Sequence, residues 1–252
     1  MKVSCQQENM SKDQIKELVE RLMPEAGLFD TMLKGVQLFR VTKAMPCVPA
    51  VYEPTVVAIL NGTKEAVLDG KHHVYGSDTY LLCPMTLPVE AGTPQASEAE
   101  PLVGVMITLV PRMMRELTME IEAAAGGTRQ HREAVPKALA LASWDTRFTQ
   151  ALLQLLKLLE NPVDLEVLGL GRLRELCYAV LMGEAGVAAR RAFGVGNEIA
   201  RTIDYLSTHL NEQVTIDELA DHVCMSRAVF HRRFKEATTM SPIQFVKSMR
   251  LN

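Results

Sequence analysis

The sequence predicts an α+β fold with three parts: an antiparallel β-domain, a set of connecting helices and a C-terminal all-α module. Short runs rich in β-forming residues, separated by turn signals, occupy residues 35–110. Apolar residues recur at helical spacing from Pro111 onward, and three short amphipathic helices follow one another near the end of the chain. These three observations set the order of the elements.

The β-domain is predicted from a series of short strands. Asn61-Gly62 separates two apolar runs and is a strong hairpin signal. Together the runs are typical of a small antiparallel barrel or sandwich. The expected strands are Val36–Val41, Thr55–Leu60, Thr63–Leu68, Thr79–Cys83 and Leu102–Val110. A helix that begins at Ser11 is expected to precede them.

The connecting region is predicted to be helical. An apolar stripe runs from Met113 to Ala124, and Gly126-Gly127 is expected to end that helix. A strongly apolar second helix follows from Trp144, and Asn161-Pro162 starts a third, with proline at the first helical position. Residues 183–196 contain four glycines and are expected to form a hinge.

The C-terminal module carries a start signal for each of its three helices. Asn197 opens the first helix, Thr215 with Glu218 forms a capping box for the second, and Ser226 caps the third. In the third helix, apolar residues recur on one face, and the opposite face is basic. The inward residues are Phe230, Phe234 and Ala237, and the outward ones are Arg227, His231, Arg232, Arg233 and Lys235.

Charge is distributed unevenly along the chain. The net charge of the 252 residues is only −3, yet residues 226–250 hold six Lys and Arg residues against one acid, Glu236. A tight pair of short helices with a basic second helix is typical of proteins that read the DNA major groove. Charge alone would favour a solvated helix face, so the prediction of DNA binding depends on the helix spacing as well.

Other compositional features exclude several classes of protein. The five cysteines have no metal-binding spacing and suit reduced thiols in a cytoplasmic protein. No secretory signal and no apolar run long enough to span a membrane is present, so we expect no membrane partner.

Residues 215–250 resemble the DNA-binding domain of the AraC/XylS family of bacterial transcription regulators. The resemblance is carried by Ile216-Asp-Glu-Leu-Ala220, Met225-Ser226, Phe230-His-Arg-Arg-Phe-Lys235, Met240-Ser-Pro-Ile-Gln-Phe245 and Met249-Arg-Leu251. The order of elements in residues 10–190 is similar to the N-terminal region of one AraC-type subgroup, in which a cupin-like barrel precedes connecting helices.

The resemblance implies a division of the chain and a set of partners. A cupin-like regulatory domain is expected at 1–111, dimerisation helices at 112–193 and a DNA-binding module at 194–252. The implied partners are double-stranded promoter DNA, RNA polymerase, an unidentified small-molecule effector and a second copy of the chain. No cofactor, metal or catalytic residue is expected.

The resemblance also assigns roles within the module. Ala228, His231 and Arg232 occupy positions that present side chains to base edges, while Arg227, Arg233 and Lys235 suit phosphates. The family has two helix-turn-helix units joined by a long helix, and we expect only the first here, because Asn252 falls inside the expected joining helix. Cys224 stands in the turn where glycine is common, which predicts a differently shaped turn.

The β-domain holds weaker candidates. Arg40 ends an apolar run and could hold an acidic effector if it points inward, although an exposed arginine is equally reasonable. A buried structural thiol is the ordinary role for Cys47 and Cys83. Cys83 is also a candidate effector-binding or sensing thiol, and Cys47 is a second candidate for sensing. His72 and His73 are adjacent, so strand alternation directs them to opposite faces and disfavours a shared metal.

Two other functions are compatible with these residues. A cupin-type metal-dependent enzyme with an added helical module would need metal ligands or an acid–base pair in the barrel. A shortened regulator could serve as an interaction or dimerisation protein without productive DNA binding. Elemental analysis and DNA binding, respectively, would separate these alternatives from a regulator.

Overall fold

An antiparallel β-domain followed by helices makes up the α+β chain over residues 2–125, 138–194, 197–210 and 214–251, which the computed structural model describes. Its strands form a six-stranded sheet, in the order β1-β2-β9-β4-β7-β10, and a four-stranded sheet, in the order β3-β8-β5-β6. The strands are β1 Gly27–Asp30, β2 Val36–Val41, β3 Met45–Tyr52, β4 Thr55–Asn61, β5 Thr63–Leu68, β6 Lys71–Gly76, β7 Thr79–Cys83, β8 Leu87–Thr93, β9 Leu102–Thr108 and β10 Ala140–Ser143.

Helices precede and follow the sheets. Asn161 accepts hydrogen bonds from the backbone N–H groups of Val163 and Asp164, which confirms the predicted start of the helix at Pro162. The helices are α1 Lys2–Leu22, α2 Pro111–Ala124, α3 Thr146–Lys157, α4 Pro162–Met182, α5 Gly186–Phe193, α6 Glu198–Thr208, α7 Ile216–His222, α8 Arg227–Thr238 and α9 Pro242–Leu251. A short 3-10 turn, Leu158–Glu160, separates α3 from α4.

The hydrophobic core is continuous from the sheets to the C-terminal module. Val57 and Leu81 of the six-stranded sheet, Ala66 of the four-stranded sheet and Leu152 of α3 belong to the same buried cluster as Phe234 of α8. The module is therefore packed onto the remainder of the protein, with α9 against β8.

Several predicted strands are confirmed, and one strand that was not predicted, β3, has a physical explanation. The bounds of β2, β5 and β7 are those that the sequence predicts. Strand β3 is not predicted from the sequence, because Pro46 and Pro49 lie within it. Proline is tolerated there because β3 is an edge strand, which pairs with a neighbour on one side only.

Two predictions about the connecting elements are wrong. Helix α1 begins at Lys2, so Ser11 lies inside the helix and does not start it. The expected hinge over 183–196 contains α5, whose buried Ala189 and Phe193 pack into the core beside α4. Gly126-Gly127, expected to end α2, lie outside the described residues.

None of the helices in the described part of the chain is both long and apolar enough to cross a bilayer.

Gly104 in β9 has no room for a side chain. A Cβ atom there would lie 2.6 Å from the carbonyl oxygen of Ala58 and closer still to the Phe39 ring. We expect Gly104→Ala to lower the free energy of unfolding by about 1–3 kcal/mol through overpacking. Urea denaturation monitored by circular dichroism measures this change.

Gly171 supplies the matched control, because a Cβ atom at this position in α4 meets nothing within 4 Å. Gly171→Ala should raise the free energy of unfolding by about 0.5–1 kcal/mol, since alanine favours the helix. Equal urea midpoints for Gly104→Ala and the unmodified chain would contradict the packing described for β9.

Candidate nucleic-acid interface

Helices α7 and α8 form a tight helix-turn-helix pair whose ends are fixed by capping. The Thr215 hydroxyl accepts a hydrogen bond from the Glu218 N–H at 3.2 Å, and the Glu218 carboxylate accepts from the Thr215 N–H at 2.7 Å. The predicted capping box is thus confirmed. The backbone N–H of Thr215 holds the pKa of Glu218 below its ordinary value, because it stabilises the carboxylate.

The turn between the two helices keeps the left-handed conformation that glycine commonly supplies. Cys224 has φ 53°, so the expected change of turn shape does not occur. Two backbone hydrogen bonds hold the turn, from Cys224 N–H to Asp221 O at 3.0 Å and from Met225 N–H to Ala220 O at 2.9 Å. Ser226 then caps α8 as predicted, accepting from the Val229 N–H.

An aromatic cluster anchors the inner face of α8. Phe230, Phe234 and Phe245 are completely buried. The rings of Phe230 and Phe234 lie 5.5 Å apart, and those of Phe234 and Phe245 meet edge to face at 5.3 Å. Because these rings fix the rotation of α8 about its axis, the opposite face of the helix must point to solvent.

The outer face of α8 carries the side chains that the sequence analysis selected. All of them are exposed: Arg227, Ala228, His231, Arg232, Arg233 and Lys235. In the described part of the chain, no hydrogen bond or ion pair engages Arg232, Arg233 or Lys235. We call this set the basic face.

Arg227 differs from the other members of the basic face, because it contacts an acid of α7. Its guanidinium lies 3.4 Å from a carboxylate oxygen of Asp217, and both side chains are about two-thirds exposed. Exposed pairs of this kind contribute little to stability. Arg227 can therefore exchange Asp217 for a phosphate at low energetic cost.

The β-domain contains a cavity of about 570 Å³ between its two sheets. Its walls are mostly apolar, and its polar side chains are mainly cations. The lining comprises Ala26, Gly27, Leu28, Phe39, Arg40, Val41, Thr42, Lys43, Met45, Tyr52, Val57, Lys64, Leu102 and Met106. Arg40 thus reaches the cavity. Of the two alternatives that the sequence leaves open, an inward-pointing and an exposed arginine, this is the first.

Lys64 is the cavity residue that the sequence analysis missed. Burial lowers the pKa of its ammonium, and burial raises the pKa of the neighbouring Tyr52 hydroxyl to about 12. The Tyr52 hydroxyl lies near the buried Tyr75 hydroxyl but makes no hydrogen bond of normal geometry among the described residues. Alternation in β5 could have revealed Lys64, because it shares a strand face with the buried Ala66 and Leu68.

Cys83 does not line this cavity with Arg40. Its thiol is fully buried and donates a hydrogen bond to the Met85 carbonyl at 3.1 Å. Burial raises the pKa of Cys83 to about 12, which keeps the thiol protonated and unreactive. Burial, reinforced by the Glu65 carboxylate, also raises the pKa of Cys47.

The two adjacent histidines of β6 have different surroundings. His72 is exposed and contacts the Glu65 carboxylate through Nδ1, whereas His73 is half-buried and lines a second cavity. Within the described residues, no group of three or more His, Cys, Asp and Glu side chains is placed to hold a metal ion.

Comparison with solved structures finds ToxT and CuxR among its matches. ToxT from Vibrio cholerae is 12% identical, with 84% of this chain and 97% of that chain covered and a TM-score of 0.35. The AraC-like transcriptional activator CuxR is 11% identical, with 87% of this chain and 77% of that chain covered and a TM-score of 0.38. Comparison with curated proteins finds no match.

Two family models match the chain. The model of the AraC-type transcriptional regulator N-terminus matches residues 32–188, more than half of the chain. The model of bacterial regulatory helix-turn-helix proteins of the AraC family matches residues 206–247 and includes α7, α8 and the basic face. The chain belongs to the AraC family of transcriptional regulators.

Proposed function

We propose that this AraC-family regulator reads specific promoter sequences by placing α8 in the major groove. The observation that supports the proposal is the basic face, which is exposed, cationic and held outward by the buried phenylalanines. A groove about 12 Å wide accepts a helix of this size. Phosphate contacts from the flanking cations would fix the register of the helix.

The positions along α8 suggest two kinds of contact. Arg232 offers two parallel donors that match guanine O6 and N7, His231 can donate to a base edge, and the Ala228 methyl suits a thymine methyl. The proposed phosphate contacts are made by Arg227, Arg233 and Lys235. Phosphate contacts carry little sequence information but make binding sensitive to salt.

The cavity of the β-domain is the proposed effector site. Its apolar walls suit an apolar body, and Arg40, Lys43 and Lys64 suit an anionic group. Burial lowers the pKa of the Lys64 ammonium, and a bound anion would offset that cost of desolvation. We therefore propose an amphipathic organic anion as the effector of the domain at 1–111.

Helix α4 provides the proposed dimer contact. Val163, Val167 and Leu170 lie at i, i+4 and i+7 and are about 70% exposed. Acids lie near the start of α4, at Asp164 and Glu166, and arginines lie near its middle, at 172 and 174, where they contact Glu175 and Glu120. Two copies of α4 packed antiparallel would bury the apolar stripe and place the acids of one copy beside the arginines of the other.

In the proposed mechanism, effector binding shifts the population of two arrangements of the DNA-binding module at 194–252. The helices at 112–193 hold two modules at a fixed separation, which matches repeated half-sites on DNA. The regulator then alters transcription by its position relative to RNA polymerase. An effector can shift such an equilibrium only as far as its affinities for the two arrangements differ.

Arg232→Ala tests the reading of bases. Duplexes selected from a random library by the full chain serve as the target, with single-base variants as competitors. The substitution should remove about 1–3 kcal/mol of discrimination at one base pair, because a bidentate contact is lost. Fluorescence anisotropy across the variants measures the discrimination.

Lys235→Ala and Arg112→Ala complete the DNA experiment. Lys235→Ala should weaken all duplexes equally and reduce the slope of log affinity against log salt by about 1. Arg112, exposed on α2, is the control and should change neither quantity. An unchanged base preference in Arg232→Ala would contradict the assigned role.

Lys64→Met tests the effector site. Decanoate, which has an apolar chain and one carboxylate, should bind the full chain, and Lys64→Met should weaken binding about tenfold or more. Isothermal titration calorimetry measures both affinities. Lys157→Met, on the exposed side of α3, is the control, and equal decanoate affinity in the two variants would exclude Lys64 as the anion partner.

Val167→Glu tests the dimer. The added charge would be buried against its own copy, so the variant should be monomeric in light scattering after size-exclusion chromatography, while the unmodified chain is dimeric. Val74→Glu, also at an exposed valine but on β6, should remain dimeric. If Val167→Glu and Val74→Glu both have the dimeric mass of the unmodified chain in light scattering, α4 is not the interface.

A further inference from the structure

A second cavity lies where the β-domain, α5 and the end of α8 meet. Its volume is about 570 Å³, and it is separate from the effector cavity between the sheets. Apolar residues form much of its wall, including Leu68, Leu139 and Val187. Charged side chains of both signs also line it: Lys71, His73, Glu184, Arg191 and Glu236.

One cationic group of this second cavity has a buried donor without an acceptor, and another, Lys71, is exposed. The Nε atom of Arg191 is buried and makes no hydrogen bond in the described part of the chain. Lys71 likewise has no ion pair among the described residues. A buried guanidinium donor without an acceptor is costly, so a ligand that accepts from Arg191 would gain the energy of that missing bond.

The acids of the cavity do not satisfy these cations. Glu184 accepts a hydrogen bond from the Ser143 N–H at 2.8 Å, which uses one of its oxygens. No hydrogen bond engages Glu236 among the described residues. Neither acid comes within 4.0 Å of Lys71 or Arg191, although all four side chains line the same cavity.

Opposite charges that share a cavity without touching are suited to a molecule that bears both charges. We propose that the second cavity binds a zwitterion of the α-amino-acid type. Its carboxylate would accept from Arg191 and Lys71, its ammonium would donate to Glu236, and its side chain would contact the apolar wall. A simple cation would leave the buried Nε of Arg191 without an acceptor, and a simple anion would gain nothing from Glu236.

The position of Glu236 connects this site to the DNA-binding module. Glu236 lies in the last turn of α8, and Thr239 is the residue that follows this helix. Arg191 belongs to α5. A ligand that bridges them links the basic face to the rest of the protein. This inference rests on the proposed function. The bound amino acid changes the affinity of the protein for DNA, and bound DNA changes its affinity for the amino acid by the same factor.

The binding experiment uses the full chain without DNA. Each of the twenty amino acids is titrated singly by isothermal titration calorimetry. We expect at least one to bind, and expect its desamino acid and its decarboxylated amine to bind at least about tenfold more weakly, since each lacks one charge-assisted contact. The absence of binding by all twenty would overturn the proposal.

Variants then locate the site. Arg191→Gln and Glu236→Gln should each weaken binding of the amino acid about tenfold or more, while Arg191→Lys should retain part of the affinity. Arg112→Gln and Glu116→Gln, a surface pair on α2, are the matched controls. Unchanged binding in both Arg191→Gln and Glu236→Gln would place the ligand elsewhere and overturn the assignment.

Fluorescence anisotropy with the selected duplex, with and without saturating amino acid, tests the link to DNA. We expect a change of at least about fivefold in DNA affinity, the lower end of typical coupling. An unchanged affinity despite amino-acid binding would overturn the regulatory part. Because calorimetry requires no DNA, a failure of DNA binding would leave the ligand result intact.

Discussion

The packing of Phe230 and Phe234 against Phe245 is the constraint on which the proposed function depends. These buried rings set the rotation of α8, and the helical repeat then fixes where every other side chain of that helix points. Any other rotation would bury guanidinium groups without partners, which is far more costly than exposing them. The exposure of the basic face is thus a consequence of the core beneath it.

The regulator uses its cations in two different environments. On α8 they remain hydrated, and those other than Arg227 are unpaired among the described residues, so they can exchange water and counter-ions for phosphates. In the cavities, Lys64 and Arg191 are partly or largely removed from water, so an anionic group gains more there than at the surface. Helix α8 takes part in both, because its first turns lie in the basic face and its last turn reaches the second cavity.

The features that the sequence predicted best are those set by neighbouring residues. The caps at Asn161, Thr215 and Ser226 and the strand Val36–Val41 depend on local chemistry and spacing. The features that it missed depend on pairing at a distance: β3 is a strand despite its prolines because it lies at a sheet edge. The second cavity combines Lys71, Arg191 and Glu236, which are brought together only by the tertiary fold.

Photo-crosslinking from α8 to the selected duplex tests the central claim most directly. A p-benzoylphenylalanine at Ala228 lies on the basic face, while one at Glu236 lies on the same helix but faces the second cavity. We predict crosslinks to DNA from position 228 and none from position 236. Equal crosslinking from both positions, or none from position 228, would contradict the placement of the basic face in the major groove.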